Sequence, residues 1–370
     1  KRFICTSYRK QPMSIPNLTN ITCHAWNADR TQIALCPNSS EIYVYKVKDQ
    51  KKPSTWEKLH TLTEHDQIVT ALDWAPKTNR LLSASQDRNA YVWELEEDKW
   101  KPTLVLLRLN RAATCCKWSP EENKFAVGSG AKVVSVCYFE ADNNWWVSKL
   151  LKKHKSTVLA IDWCPTNNTI LATACSDFKC RVFSAFLKQV DDKKQKEGKF
   201  NEELAVFPCG GWVHDVAWAP NGEYLAFVCH DSSVHFVNRG DDNAEMVVKC
   251  NDLPFMTVRF ITDNVAVCGG HSFNPIMFSL GDNGWERRGE CDEEKAVKKS
   301  ATGVRSAFQR FQNQASTGKT SSTEAVKTKH KNTITQITIL NDKTFASSGL
   351  DGQVNVWDTM KCAERLEVTL

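Results

Sequence analysis

The stretch at 71–93, ALDWAPKTNRLLSASQDRNAYVW, returns at 160–183 as AIDWCPTNNTILATACSDFKCRVF and at 216–237 as VAWAPNGEYLAFVCHDSSVHFV. This repetition restricts the possible folds more than any other property of the chain. In each copy a strand-like segment ends at Trp-x-Pro, where proline disfavours further ladder pairing and Asn, Lys, Thr or Gly supply a turn. A short apolar strand follows, small residues end it, and an Asp opens a second tight turn. Alternating residues then reach an aromatic six positions on: Asp87 to Trp93, Asp177 to Phe183, Asp351 to Trp357. That is the period-two pattern of strands. The aromatic closing the first strand marks six copies, at Trp26, Trp74, Trp118, Trp163, Trp218 and Phe260, and the aliphatic Ile339 marks a seventh. Each anchor stands 12 to 14 residues before the second turn, at Ser39, Asp87, Ala131, Asp177, Asp231, Ser272 and Asp351.

Three strands per copy, with pieces such as TLVLLRLN at 103–110 as a fourth, predict seven four-stranded sheets arranged radially. Such a ring shields its sheet edges. The expectation is an all-β, seven-bladed β-propeller spanning 1–370. Closing the ring calls for one blade built from both chain ends, with residues near 11–18 and RLEVTL at 365–370 as candidates. His65, His154 and His330 precede the Asp of their own repeats by 22, 23 and 21 residues. This arrangement resembles the WD-repeat family. The Trp-Asp pair itself survives only at Trp357 and Asp358.

Composition excludes several other classes. No run of about 18 apolar residues is present to span a membrane. The first ten residues, KRFICTSYRK, lack the apolar core of a signal peptide. A cytoplasmic protein is expected. The 15 cysteines are odd in number and form no C-x-x-C pair, and Cys164, Cys175, Cys229 and Cys268 fall in or beside apolar strands. They read as reduced, packed thiols. The glycosylation sequons at Asn17, Asn20, Asn38 and Asn167 are then chance matches.

Catalytic constellations are missing from the pattern. His214 with Asp215 and His230 with Asp231 look like acid–base pairs, but neighbours on a strand point to opposite faces. GSGAKV at 128–133 lacks the third Gly and the following helix of a dinucleotide loop, and neither a P-loop nor an H-E-x-x-H motif occurs. The histidines and cysteines are scattered over repeat positions, which gives no metal set. No catalytic, cofactor-binding or metal-binding residue is assigned, and the chain reads as a binding platform. His65, Asp87, Trp93, His154, Asp177, Phe183, Asp231, His330, Asp351 and Trp357 are assigned structural roles in the repeat.

Function is expected where the repeat is interrupted. The segment at 188–203, KQVDDKKQKEGKFNEE, is charged and poor in apolar residues, and reads as a solvated inter-repeat loop extending over 188–208. A second insert, at 281–330, separates the sixth and seventh copies. Within 295–331, nine Lys and Arg face the single acid Glu324, a surplus of eight positive charges in a chain whose whole net charge is +5. Such a segment draws an acidic partner, more weakly as salt rises. On a helix near 301–315, Ala301, Val304, Phe308, Phe311 and Ala315 share one stripe. A helix this short needs a surface to bury that stripe, either on its own propeller or in a partner's groove. Nucleic acid is a competing partner for basic charge, but no recognition module accompanies it. The lysines of KLLKKHK at 149–155 can add a basic patch, or simply mark a solvated strand edge.

At finer grain, ITCHAWNADRTQIALCPN, DRNAYVW, WKPTLVLLRLNRAATCCKWSPEENKFAVGSG, SVCYFEADNNWWVSKLLKK and DFKCRVFSAF resemble the WD-repeat subunit family of the seven-subunit actin-related protein 2/3 complex. The resemblance runs from about Ile21 to Trp357; the extension at 1–20 and the loop at 188–203 depart from it. It implies a non-catalytic scaffold in the assembly that starts a new actin filament from the side of an existing one. The implied partners are two actin-related proteins, four smaller subunits, the actin filament and nucleation-promoting factors, with the actin cytoskeleton as location. By position, Val304, Phe308 and Phe311 would carry a projecting contact, with Arg305 and Arg310 as peripheral charges. The alternative is a WD-repeat adaptor of another assembly, in ubiquitin ligation or RNA processing.

Overall fold

A computed structural model of the chain describes residues 15, 18–292 and 328–370. Seven antiparallel sheets follow one another along the sequence, over residues 23–62, 69–105, 113–151, 158–208, 213–249, 255–290 and 334–358. These are blades 1 to 7 of a propeller. Six sheets have four strands in chain order, and the seventh has three among the described residues. The aromatic anchors lie at or near the ends of the innermost strands, as in Val69–Trp74, Ala113–Trp118, Val158–Trp163 and Val213–Trp218. The seven-copy register is therefore the seven-blade register. In blade 2 the outer strand is Lys99–Val105 rather than 103–110. Glu97 and Asp98, both at positive φ, turn the chain in two residues, so pairing starts at Lys99 opposite Glu96 and has ended by Leu106.

Each blade buries one sheet face against the next. Trp74, Leu81 and Trp93 of blade 2 pack with Ile42, Val44 and Leu62 of blade 1, and comparable clusters fill the other junctions. The innermost strands add a second tie. Six sheets carry a β-bulge near the start of that strand, with Thr70, Thr114, Leu159, His214, Met256 and Thr335 as the extra residues. A bulge re-aims its side chain. Here the threonines reach the next blade: Thr70 Oγ1 donates to Ala113 O at 2.9 Å, Thr114 Oγ1 to Val158 O at 2.6 Å and Thr335 Oγ1 to Ile21 O at 3.2 Å. Carboxylates add to this: Asp73 accepts from Trp118 N at 2.7 Å, Asp162 from Trp218 N at 2.9 Å and Asp215 from Val258 N at 3.0 Å.

The ring closes between blades 7 and 1 through side chains and one backbone bond, Ile21 N to Gly349 O at 3.3 Å. Gln336 accepts from His24 N at 2.9 Å and donates to His24 O at 3.0 Å, while the His24 ring lies between Ser348 Oγ at 2.8 Å and Thr338 Oγ1 at 3.0 Å. Arg30 caps the far end by donating to Ile339 O and Leu340 O. The terminal segment 365–370 does not supply a strand. Instead Thr359–Arg365 form a helix, N-capped by Asp358, whose Cys362 and Ala363 are buried in the junction of blades 6 and 7. Of the other candidate, 11–18, only Ile15 and Leu18 are described; both are buried with Trp26 and Leu340. No helix among the described residues is long and apolar enough to cross a membrane.

The His24 imidazole is fully enclosed, and burial, helped by the positive charge of Arg259, lowers its pKa from 6.5 to about 3. The unfolded chain takes up this proton below pH 6.5, whereas the closed ring refuses it until about pH 3. Stability therefore falls as pH drops through that window, by up to about 1.4 kcal/mol per pH unit from this group. We expect a thermal midpoint that declines from pH 6.5 to 4.5, and a shallower decline in a folded His24→Asn variant. Parallel curves for the two proteins would contradict the assignment.

Candidate interaction surface

In an antiparallel blade, the loop from the outer strand to the next blade and the turn between second and third strands open on the same face. Two hydrogen-bonded sets stiffen it. His65 Nδ1 meets Asp87 Oδ2 at 2.7 Å, His65 Nε2 meets Ser83 Oγ at 2.8 Å, and Trp93 Nε1 donates to that hydroxyl at 2.9 Å. His330, Asp351, Ser347 and Trp357 repeat the arrangement, with His330 Nε2 to Ser347 Oγ at 2.7 Å. Blade 4 does not bring its pair together. Asp177 is held by Arg181 at 2.9 Å, and Phe183 offers no N–H, so His154 binds only Thr173 Oγ1 at 2.9 Å. Burial, then the Arg181 charge, lowers the His154 pKa to about 4. Asp231 accepts from Ser233 instead of a histidine.

The same face carries an arc of exposed cations over blades 2 to 4: Arg108, Arg111, Lys132, Lys152, Lys153 and Lys155. Of the carboxylates on this face, Asp87 and Asp177 are engaged by His65 and Arg181, while Glu64 and Asp66 stand exposed at the blade 2 end of the arc. Two apolar side chains stand among these cations, Leu106 at 61% and Phe178 at 47% exposure. Phe178 occupies a turn position with φ 66°, uncommon for a bulky residue. This arc has the charge and the apolar points to meet an acidic protein surface. The basic patch read at 149–155 thus lies mostly in a face loop: Lys152, Lys153 and Lys155 follow the outer strand Trp145–Leu151.

The insert between blades 6 and 7 is rooted on this face too. Asp292 and Lys329 are joined by a 2.7 Å backbone-to-carboxylate bond, and Arg365 of the C-terminal helix donates to Asp292 O at 2.9 Å. Val304, Arg305, Phe308, Arg310 and Phe311, and the helix expected near 301–315, lie outside the described residues.

The central channel, about 160 Å³, is lined by opposed charges. Lys117 pairs with Asp73 at 3.2 Å and Arg259 with Asp215 at 2.7 Å. Asp73, ahead of the opposing effect of burial, raises the Lys117 pKa. Burial raises that of Asp162 against the pull of Lys117 and Arg259. His214 and Asp215 do diverge: His214 Nε2 meets His230 Nδ1 at 2.8 Å while Asp215 binds Arg259. Burial, then His230, lowers the His214 pKa to about 4. Cys209, Cys229 and His235 bring three possible metal-ligand atoms within 4.8 Å. Both ring nitrogens of His235 have partners, however, Glu245 at 2.6 Å and Ser233 at 2.9 Å.

The segment 188–203 exposes most of its charged side chains, but it is anchored to the blades beneath it. Asp191 is buried and ion-paired with Lys124 of blade 3 at 2.5 Å, both side chains being wholly enclosed. Leu187 N and Asn168 Nδ2 also donate to this carboxylate. Gln195 binds Glu121, Asn167 binds Glu197, and Glu197 pairs with Arg239 of blade 5. The segment is a strap over three blades, and the outer strand of blade 4 begins within the assigned range, at Glu202. Sequence reasoning missed it because its acids and lysines look alike; the apolar Phe186, Leu187 and Val190 beside Asp191 were the available signal.

Residues 56–94, 145–184, 201–238 and 323–358 match the family described as WD domain, G-beta repeat. The chain is 43% identical over 368 residues to actin-related protein 2/3 complex subunit 1B of Arabidopsis thaliana, covering 94% of this chain and 96% of that protein. It is 43% identical over 356 residues to subunit 1A-B of Xenopus laevis, with 92% and 94% covered. To subunit 1 of Schizosaccharomyces pombe it is 39% identical over 367 residues, with 90% and 95% covered.

Removing one partner of the enclosed Lys124–Asp191 pair strands a buried charge. Asp191→Ala should cost about 3–5 kcal/mol in denaturant unfolding. The double change Lys124→Met with Asp191→Leu should recover most of the loss. A single variant as stable as the parent would contradict the strap's anchoring.

Proposed function

The chain belongs to the actin-related protein 2/3 complex subunit 1 family, and from that premise we propose that it is a non-catalytic scaffold subunit of the corresponding assembly, supporting nucleation and branching of actin filaments. The observation that carries this reading is the similarity over nearly the whole chain, 43% identity covering 94% of it and 96% of the relative. Its partners are then the two actin-related proteins, the four smaller subunits, the actin filament and nucleation-promoting factors, in the cytoplasm.

The geometry supports a division of labour. The closed ring holds its loop face rigid, the basic arc speeds the approach of an acidic surface, and the insert rooted at Asp292 and Thr328 carries apolar anchors from the same face. Val304, Phe308 and Phe311 supply burial at the distant contact, with Arg305 and Arg310 at its rim.

Affinity purification of the tagged chain at moderate salt tests the reading. Recovery with two actin-related proteins and four smaller subunits supports it; recovery with ligase or RNA-processing factors instead would replace it by the adaptor reading. Within the recovered assembly, Phe308→Ala with Phe311→Ala should weaken the insert's contact by about 2 kcal/mol or more. Branch formation in a filament-imaging assay should fall accordingly. Unchanged branching by an intact mutant assembly would remove these residues from the contact.

A further inference from the structure

The repeats furnish a template against which one blade is incomplete. In blades 1, 2, 3 and 6 a tryptophan at or before the outer strand packs edge-on against the anchor of its own blade. The ring pairs are Trp56 on Trp26 at 5.6 Å, Trp100 on Trp74 at 5.5 Å, Trp146 on Trp118 at 5.8 Å and Trp285 on Phe260 at 5.8 Å, with interplanar angles of 64° to 84°. In three of these blades the tryptophan sits in one register, opposite the residue eight positions after the second turn: Leu95 with Trp100, Phe139 with Trp146, Leu280 with Trp285. Blade 4 fills the corresponding place with the strap and the Lys124 ammonium over the Trp163 ring. Blade 7 fills it with the C-terminal helix.

Blade 5 has nothing there. Its ladder closes at Asn238 opposite Ala244, one pair short of the tryptophan register, so Arg239 and Asn243 fall in the turn, where Asn243 is exposed at φ 59°. A cavity of about 300 Å³ lies in that place. Val182, Leu204 and Phe207 of blade 4 form one wall and Trp218, Leu225 and Val237 of blade 5 the other, with the Glu197–Arg239 ion pair and Asn243 at the mouth. Among the described residues Trp218 has no ring partner, and its buried indole N–H has no acceptor. Trp26 and Trp118 also lack an acceptor for this group, but each has its edge-on tryptophan.

We propose that this slot between blades 4 and 5 is a binding site for a tryptophan side chain presented by a partner peptide. The incoming indole takes the place that blades 1, 2, 3 and 6 fill from their own chain, edge-on to Trp218. The rim fits a peptide backbone: Arg239, now held by Glu197, can turn to a carbonyl of the arriving segment, Asp242 can accept from its N–H, and Asn243 offers an amide. Aromatic anchors in preformed pockets dominate many peptide interfaces. The site is independent of the assembly reading, since it rests on the repeat geometry alone.

Methyl NMR of the full chain with N-acetyl-L-tryptophanamide as probe tests it. Saturable shifts are expected at the methyls of Val182, Leu204, Leu225 and Val237, at tenfold or more lower concentration than with N-acetyl-leucinamide. Asn243→Trp, which supplies a ring from within although φ 59° strains a bulky residue there, should abolish those shifts. Ala205→Phe plugs the opposite wall and serves if the first variant does not fold. Absence of shifts, equal response to the leucine probe, or shifts that survive a folded plugged variant would each overturn the proposal.

Discussion

Everything in this molecule depends on the meeting of blade 7 with blade 1. A blade exposes two apolar faces and can cover them only with its neighbours, so an open row of seven would leave two faces in water. Closure covers both at once. The ties that hold it are short polar bonds over a packed interface: the Gln336 amide gripping both backbone groups of His24, and the His24 ring between two hydroxyls. Similar bonds recur from blade to blade, from threonines on bulges and from carboxylates in the channel. Those carboxylates accept from backbone N–H groups and face cations, which offsets the cost of enclosing their charge.

Much of this was legible in the chain. The anchor aromatics, the spacing to the second turn and the six-residue step to the next aromatic define strands without reference to neighbours, because strand periodicity is local. Which polar residues join blades was not legible. Asp73 and Asp162 look like ordinary strand-end acids and Asp215 like half of an acid–base pair, while their partners lie 43 to 56 residues away. Bulges were equally hidden, since one extra residue leaves the apolar pattern nearly unchanged while turning a side chain to another blade. The His–Asp spacing was readable at His65 and His330; at His154 the same spacing misled, because Arg181 competes for Asp177 from four residues away.

The strap at 188–201 illustrates a limit of composition. A segment rich in Lys, Asp and Glu reads as solvated, because most such side chains are. One of its acids nevertheless has a buried lysine waiting, and that pair draws the remaining residues across three blades. Among the described residues, the candidate surface thus rests on features of two kinds: loops whose positions follow from the repeat, and charges whose roles follow from contacts distant in sequence.

The stem at Asp292 and Lys329 has an evolutionary consequence. Because the two ends of the insert are tied to each other and to Arg365, the ring experiences them as a short, fixed connection whatever lies between. For an open chain between fixed points, doubling the length costs only about 0.6 kcal/mol. The stability of the propeller is therefore nearly indifferent to the length of its longest insertion, which leaves that segment to be shaped by what it binds and not by the ring that carries it.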